Sequence, residues 1–344
     1  SRMTPTLIDD AVLEKILCPQ CGSDLAQKPG EELRCPECAS VYSIENGIVD
    51  LLIDKTMKTQ LEAIDYDATG GITDKAIENI GRAWATVFDN AGVSLFGKDV
   101  LEVGSGTGAL TLALLNQCGA GRVVATDVSA TFLKKMLNRT GGENRITALR
   151  CDCNALPVRT GTFDVVVGRS ILHHLLDYKE VLAQCARALR EGGSAVFFEP
   201  ILEGKIIVAF YGALVADLAE REGNSTLDSR DINLIRSIVR HITKAAWYPQ
   251  DRDSLAKLED KFVFTLPGLK AAARDAGFTS VEAVRDNRVL DHTYWSYFTA
   301  TMRIAGIPAE KLEKYRFLAG TFENTVGAFP ELVHEPMTYF FFRK

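Results

Sequence analysis

Three features are missing from this sequence of 344 residues, and each absence narrows the class of protein. No apolar run reaches the length of about 18 residues that a membrane-spanning helix requires. No basic segment followed by a short apolar one, the pattern of a secretory leader, opens the chain. No run of five basic residues occurs, and the net charge of −6 gives no general attraction to nucleic acid. These absences predict a soluble, cytoplasmic protein that does not bind membranes.

Cysteine is not scarce, and four of the eight cysteines form two C-x-x-C pairs near the start of the chain. Cys18 and Cys21 make the first pair, Cys35 and Cys38 make the second, and residues 22–34, thirteen in all, separate them. Two disulfides or idle thiols are the alternative, but no secretory leader accompanies the pattern, so a Zn²⁺ site of four thiolates is favoured. Since sulfur would fill all four positions, we expect a structural metal.

The most specific pattern is an apolar strand that runs directly into a turn with three glycines. Residues 99–109 read D-V-L-E-V-G-S-G-T-G-A. Gly104, Gly106 and Gly108 lack a Cβ atom, so the turn can adopt positive φ and bring its amides close to a ligand. The next apolar run ends at Asp127, where a carboxylate suits a ribose diol. The pattern predicts a site for a nucleotide-like cofactor.

Two classes of cofactor fit this turn. Gly104, Gly106 and Ala109 also satisfy the loose fingerprint G-x-G-x-x-A of dinucleotide-binding proteins, so a nicotinamide cofactor is one interpretation.

Features around the turn favour a different cofactor. Glu102 precedes the first glycine by two positions, and Asp152 follows a third strand-like run. Residues 163–168 and 188–199 supply two more strand-like segments. With its motifs in this order through about residues 100–200, the chain resembles the class I S-adenosylmethionine-dependent methyltransferases of type 11. The cysteine-rich segment resembles the zinc ribbons of Trm112-like proteins.

The resemblance implies a role for each position that matches the family's motifs. The glycine turn would pass beneath the methionine part of the cofactor, with Glu102 near the methionine amino group. Asp127 would hold the ribose hydroxyls, and Asp152 would accept a hydrogen bond from the adenine amino group. Tyr66 lies in the segment that covers the cofactor in many family members. The predicted cofactor-binding residues are Glu102, Gly104, Ser105, Gly106, Gly108, Asp127, Val128, Asp152, Cys153, Arg169 and Tyr66.

The alternation of strands and helices predicts an α/β fold, a doubly wound and mostly parallel sheet of the Rossmann-like kind. The resemblance implies seven strands in this sheet, preceded by a small zinc ribbon. The predicted segments are a ribbon in residues 1–53, a helical segment covering the cofactor site in 54–98, a cofactor-binding core in 99–200, a helical lid insertion in 201–265, and closing strands in 266–344 that enclose a second helical insertion at 285–336.

The two insertions distinguish this chain from a minimal family member. In this topology both leave the carboxyl edge of the sheet, so we expect them to build a substrate chamber and its cover. An aromatic lining would suit an apolar or planar small molecule, whereas helix packing or a homodimer interface is the alternative. The aromatic residues concerned are Phe210, Tyr211, Trp247, Tyr248, Tyr294, Trp295, Tyr297 and Phe298.

The resemblance implies in-line methyl transfer from S-adenosylmethionine to an oxygen, nitrogen or carbon atom of a small, partly apolar metabolite. The protein must then align the reacting atoms and exclude water, without a covalent nucleophile. An acceptor that carries a proton also needs a general base. The candidate catalytic residues are His173 and His174 after the fourth strand, Glu199 after the fifth, and His292 in the second insertion.

Two other functions stay open at this point. The order of ribbon and methyltransferase also resembles bacterial ribosomal RNA guanine methyltransferases, in which the ribbon would recognise ribosomal or transfer RNA. Cys38 as the fourth ligand, the missing basic arm and the long segments after Pro200 disfavour that function. A partner module that binds the cofactor without turnover is the other, and the intact glycine turn disfavours it.

Overall fold

The computed structural model describes residues 8–28, 32–63, 72–223, 226–247, 251–285, 293–326 and 335–344. Tyr66 and His292 lie outside the described residues. The chain divides into two compact units. Unit 1 comprises residues 1–198, 270–286 and 339–344, and unit 2 comprises residues 199–269 and 287–338.

Unit 1 is built around strands, and unit 2 is mainly helical. The strands are β1 Ala26–Lys28, β2 Glu32–Arg34, β3 Val41–Glu45, β4 Ile48–Asp50, β5 Asp99–Val103, β6 Arg122–Asp127, β7 Ile146–Arg150, β8 Phe163–Arg169, β9 Leu189–Pro200, β10 Ser280–Val284 and β11 Met337–Arg343. The helices are α1 Asp10–Leu13, α2 Asp74–Asn90, α3 Ala109–Asn116, α4 Ala130–Thr140, α5 Tyr178–Ala188, α6 Leu202–Arg221, α7 Ser229–Trp247, α8 Arg252–Ala256, α9 Leu266–Ala276, α10 Thr293–Ile304 and α11 Phe317–Val326.

The strand order in the sheet confirms the predicted doubly wound fold. The central strands lie in the order β7-β6-β5-β8-β9, and all four of these neighbouring pairs are parallel. β11 and β10 complete that edge as an antiparallel pair. The chain order reverses on either side of β5, which is the switch point where ligands bind in such sheets. The carboxyl ends of β5 and β6 therefore mark the ligand-binding edge.

The central strands are recognisable in the sequence because both faces of the sheet are buried. β8 reads F-D-V-V-V-G-R, and Val165, Val166 and Val167 are each at most 2% exposed. Strands covered on both sides read as continuous apolar runs, without the alternation of a half-exposed strand.

The sheet continues beyond β7 into the cysteine-rich segment and is longer than predicted. β3 and β4 form an antiparallel hairpin, and β4 pairs in parallel with β7. With β2 and β1 added, the sheet has eleven strands. Ile48 belongs to the main hydrophobic core, and Val49 and Leu51 are buried. The ribbon therefore shares its apolar surface with the rest of unit 1.

Helix α2 belongs to the core layer of unit 1. The side chain of Thr73 caps it by accepting a hydrogen bond from the amide of Ala76 at 3.1 Å. Trp84 is fully buried, and its ring meets that of Tyr339 edge to face with centroids 5.4 Å apart. The buried face of α2, which lies in the predicted helical segment 54–98, thus packs against the sheet.

Unit 2 contains its own hydrophobic core, which includes four of the aromatic residues expected to line a chamber. The rings of Tyr211 and Tyr294 meet edge to face at 6.4 Å, and Trp295 packs against Phe298 at 5.5 Å. All four side chains are at most 5% exposed. The expectation that these four residues line a chamber was wrong, because their side chains are buried against one another between helices. Tyr248 and the side chain of Trp247 lie outside the described residues.

Among the described residues, no helix combines the length and the apolar character that crossing a bilayer requires.

Candidate active site

The glycine turn connects β5 to α3 and is fastened to the end of β6. Gly104, Gly106 and Gly108 have φ angles of +68°, +53° and +87°, the left-handed region that favours glycine. The amide of Ser105 donates to the carbonyl oxygen of Thr126 at 2.9 Å. These bonds and angles hold the turn open at the carboxyl edge of the sheet.

The turn is tightly packed at its two ends and open in its middle. A Cβ atom at Gly104 would lie 2.5 Å from Cδ1 of Ile171, and one at Gly108 would lie 2.4 Å from Cγ of Met136. At Gly106 the Cβ position has no heavy atom within 4 Å. The adjacent Ser105 Oγ is buried and has no hydrogen-bond partner among the described residues. An open space beside an unpaired hydroxyl fits a bound polar group.

Asp127 stands at the end of β6 and closes this turn. Its Oδ2 accepts a hydrogen bond from the amide of Gly106, and its Oδ1 accepts one from the amide of Ser129, each at 2.9 Å. Burial raises the pKa of Asp127 to about 6, although these amides oppose the rise. Each carboxylate oxygen can accept a second bond, so the group retains capacity for two hydroxyls of a ligand.

The segment before α2 also reaches this site. The charge of Glu62, in the short 3₁₀ helix Gln60–Ala63, contributes to the raised pKa of Asp127. Glu62 therefore lies within electrostatic range of Asp127.

Glu102 lies beneath the turn and is only 1% exposed. Its Oε2 accepts a hydrogen bond from Thr111 Oγ1 at 2.6 Å. Burial raises the pKa of Glu102 to about 8, and the charge of Asp127 adds to the rise. Without a cationic ligand the carboxyl is therefore mostly protonated at neutral pH, and a cationic group placed beside it would favour its ionised form.

The raised pKa of Glu102 predicts how stability depends on pH. Between about pH 4.5 and pH 8 the folded protein holds a proton that the unfolded chain releases, so the free energy of unfolding falls as pH rises. Glu102→Gln keeps an acceptor for Thr111 and removes the titration. We expect its free energy of unfolding at pH 8 to exceed that of the wild type by about 1–3 kcal/mol. Urea denaturation without cofactor measures this.

The matched control for that experiment is Glu282→Gln, which neutralises an exposed carboxylate on β10. It should leave the pH dependence of stability unchanged. A Glu102→Gln variant whose stability follows the wild-type curve from pH 5 to pH 8 would contradict a buried titration at this position.

Asp152 follows β7 and caps the 3₁₀ helix Cys153–Ala155. Its Oδ1 accepts hydrogen bonds from the amide of Asn154 at 2.8 Å and from Asn154 Nδ2 at 2.9 Å. Burial raises the pKa of Cys153 to about 12, so its thiol is neutral. Val128 is half-buried, and its carbonyl oxygen accepts a hydrogen bond from Arg150 Nε at 2.9 Å.

The end of β8 contains a strained serine that the sequence does not reveal. Ser170 has a φ of +54°, and its amide donates to the carbonyl oxygen of Phe198 at 2.9 Å. Side chains rarely occupy this left-handed region, and such strain concentrates at functional sites. Arg169 ends β8 and is exposed, with its guanidinium 5.9 Å from the ring centroid of Phe198.

The two candidate histidines lie in the 3₁₀ helix Leu172–His174 that follows this serine. His173 is 6% exposed and His174 is partly buried. Their ring centroids are 3.9 Å apart, so the two rings lie against each other. Glu199 is fully buried near the end of β9 and belongs to unit 2.

The structure thus brings most of the predicted cofactor residues to one edge of unit 1. The ends of β5, β6, β7 and β8 carry the glycine turn, Asp127, Asp152 and Arg169 respectively. The positive φ of Ser170 could not be predicted, because no sequence signal marks a serine that adopts this conformation.

A second candidate site is the cluster of four cysteines. The sulfur atoms of Cys18 and Cys38 are 3.6 Å apart, and those of Cys21 and Cys35 are 3.4 Å apart. All four sulfurs lie within 4.8 Å of one another. A tetrahedron of thiolates with metal bonds of about 2.3 Å has edges of about 3.8 Å. The donor set and its spacing therefore fit a tetrahedral zinc ion.

The backbone forms the same turn at each cysteine pair. The amide of Gly22 donates to the carbonyl oxygen of Cys18 at 2.8 Å, and that of Ala39 donates to the carbonyl oxygen of Cys35 at 3.0 Å. Both Gly22 and Ala39 have positive φ, at +76° and +61°. The Tyr42 hydroxyl lies 3.0 Å from Cys18 Sγ, where it can donate to a thiolate and orient it.

Comparison with known sequences agrees with this geometry. Residues 100–193 match the profile of the family described as methyltransferase domain. A ubiquinone/menaquinone biosynthesis C-methyltransferase of Xylella fastidiosa is 31% identical over 125 residues, which is 35% of this chain and 49% of the relative. A malonyl-[acyl-carrier protein] O-methyltransferase of Geobacter sulfurreducens is 27% identical over 135 residues, which is 39% and 48% respectively. The chain therefore spans about half the length of these curated relatives.

Solved structures overlap with more of the chain at lower identity. The [4+2]-cyclase SpnF has 15% identity and a TM-score of 0.46, covering 82% of this chain and 92% of its own. The complex between the Haloferax volcanii Trm112 methyltransferase activator and a putative methyltransferase has 16% identity and a TM-score of 0.44, with coverages of 84% and 99%. Both TM-scores lie below 0.5, so the fold assignment rests on the strand order.

The strand order and the family match together define the core of this chain. Residues 100–193 are a methyltransferase domain, built on a doubly wound sheet.

The hydrogen bonds of Asp127 predict how the affinity for the cofactor depends on pH. Asp127→Asn should weaken S-adenosylhomocysteine binding by about 1–3 kcal/mol, because a charged acceptor for hydroxyl groups is lost. In the wild type, affinity should rise from pH 5 to pH 7 as the carboxyl ionises around its pKa of about 6. The asparagine variant should lose this rise. Calorimetric titration across that range measures both effects, and Asp89→Asn, an exposed change on α2, is the control.

Proposed function

We propose that this chain is an S-adenosylmethionine-dependent methyltransferase that acts on a small, partly apolar metabolite. The observation that carries the proposal is the pairing of Asp127 with the amide of Gly106, next to the open space at that glycine. The pairing presents carboxylate oxygens beside a turn that a ligand can approach closely. A cofactor with a ribose and a charged amino acid end fits such a surface.

Different residues of the chain would bind different parts of the cofactor. Asp127 would accept the ribose hydroxyls, with Val128 beside the nucleoside. Asp152 would bind at the adenine end and Cys153 would line it as a neutral thiol. Glu102, whose carboxyl is buried, would become charged when the methionine ammonium approaches and would then stabilise it.

The reaction requires the protein to align the acceptor atom with the methyl group, and it requires no nucleophile from the protein. S-adenosylmethionine supplies a methyl group on a cationic sulfur, an activated carbon that needs no protein nucleophile. The turn at Gly104 to Gly108 would fix the position of that carbon, and the strained backbone at Ser170 would fix the segment that faces the acceptor. Holding the reacting atoms in line supplies most of the acceleration.

An acceptor that loses a proton needs a base, and we propose the adjacent pair His173 and His174 for this role. The contact between the rings, with centroids 3.9 Å apart, would restrict their orientation. Glu199 is the second candidate, since it is buried at the end of β9.

The class of acceptor is inferred from the charge of the chain and from the names of its relatives. Those relatives are named as a C-methyltransferase of ubiquinone/menaquinone biosynthesis and an O-methyltransferase of malonyl-[acyl-carrier protein]. A net charge of −6 disfavours a nucleic acid substrate. We propose Ile206 and Phe210, exposed apolar residues of α6, as substrate contacts or as part of a homodimer face.

A labelling experiment tests the proposed substrate class. The protein is incubated with methyl-labelled S-adenosylmethionine and a cell extract, and the label is divided between extractable metabolites and nuclease-sensitive polymer. We expect the label among the metabolites, reduced at least tenfold with Asp127→Asn. Label in the polymer would instead support an RNA methyltransferase, and cofactor binding without any transfer would support a non-catalytic module.

We also propose that the cysteine cluster holds a structural zinc ion. All four ligand positions would be thiolates, so the metal would bind neither water nor substrate. Its contribution would be to hold together the cysteine turn that precedes β1 and the cysteine turn between β2 and β3.

Removing one ligand tests the zinc proposal. Cys35→Ser should lower the zinc content of purified protein well below the wild-type value and reduce the yield of folded protein, because three thiolates bind zinc less tightly. Elemental analysis measures the content. Cys118→Ser, a half-buried cysteine outside the cluster, should leave it unchanged. Full zinc occupancy in Cys35→Ser would contradict a site of four thiolates.

A further inference from the structure

A row of charged residues crosses three neighbouring strands at the cofactor edge of unit 1. In the sheet register Asp50 of β4 lies beside Arg150 of β7, and Arg150 lies beside Asp127 of β6. All three are the last residues of their strands. Residues side by side in a sheet face the same way, so Arg150 shares a face with Asp50 and Asp127 at the ends of their strands.

Arg150 makes two directed contacts from this position. Its Nη1 pairs with Asp50 Oδ2 at 3.2 Å, and its Nε donates to the carbonyl oxygen of Val128 at 2.9 Å. The side chains of Arg150 and Asp50 are 18% and 19% exposed. A guanidinium can hold two acceptors at once in fixed directions, which a lysine cannot do.

The two groups that Arg150 joins have different origins. Val128 directly follows Asp127, so its carbonyl belongs to the loop that carries the proposed ribose acceptor. Asp50 ends the last strand of the ribbon, where the amide of Leu51 also donates to the carbonyl oxygen of Arg150 at 2.9 Å. The ribbon is therefore bonded to the strand beside the cofactor loop through both main chain and side chain.

We propose that Arg150 is a positioning residue that joins the ribbon to the nucleoside-binding loop. It holds the carbonyl of Val128, and Asp50 of the ribbon holds Arg150. The ribbon thus serves as the outer support of the cofactor site. The inference rests on the proposed function, because it concerns the same cofactor loop.

Binding of S-adenosylhomocysteine to zinc-loaded, full-length variants tests the proposal. Arg150→Gln should weaken binding about tenfold, because it removes both contacts of the guanidinium. Asp50→Asn should weaken binding less, and adding it to Arg150→Gln should cause no further loss, because the two residues act as a unit. Arg150→Lys should restore part of the affinity.

A second ligand distinguishes positioning of the nucleoside loop from general loosening. 5′-Methylthioadenosine lacks the amino acid end of the cofactor, and Arg150→Gln should weaken its binding by the same factor. Two controls should bind like the wild type. Arg145→Gln makes the same change just before β7, and Lys55→Met removes the exposed second partner of Asp50.

The outcomes separate the two proposals. Wild-type affinity in Arg150→Gln would overturn the positioning role alone. Independent, additive losses from Asp50→Asn and Arg150→Gln would overturn the joint action of the two residues. A wild-type protein that does not bind S-adenosylhomocysteine would overturn the proposed function and this inference with it.

Discussion

The hydrogen bond from the Gly106 amide to Asp127 is the interaction on which the candidate site depends. It ties the turn after β5 to the end of β6, and both elements meet where the strand order reverses. Burial opposes the charge of Asp127, and the amides of Gly106 and Ser129 offset part of that cost. The turn and the carboxylate therefore support each other, and neither would have its present geometry alone.

Much of this arrangement could be predicted from the sequence for simple physical reasons. β8 and β9 begin and end within one residue of the strand-like segments expected at 163–168 and 188–199, because strands buried on both faces read as apolar runs. The three glycines of the turn adopt the positive φ angles expected of them. Gly104 and Gly108 must be glycine for a second reason, because a Cβ atom there would clash with Ile171 and Met136. Those contacts depend on residues distant in the chain.

Other features could not be predicted because they depend on tertiary packing. The hairpin of β3 and β4 is visible in the sequence, but the edge that it joins is not. Ser170 looks like any serine, and its strain is visible only in the backbone. Aromatic residues are equally suited to line a substrate chamber and to fill a core between helices, so composition alone does not distinguish the two roles in unit 2. The contacts between their rings do.

The division of unit 2 into two stretches of chain has a consequence for biosynthesis. Tyr294 leaves the ribosome 83 residues after its packing partner Tyr211 (294 minus 211), and β10 of the other unit lies between them. Until then, α6 and α7 expose an unfinished apolar face. During this interval the nascent chain carries exposed apolar surface of the kind that chaperones bind.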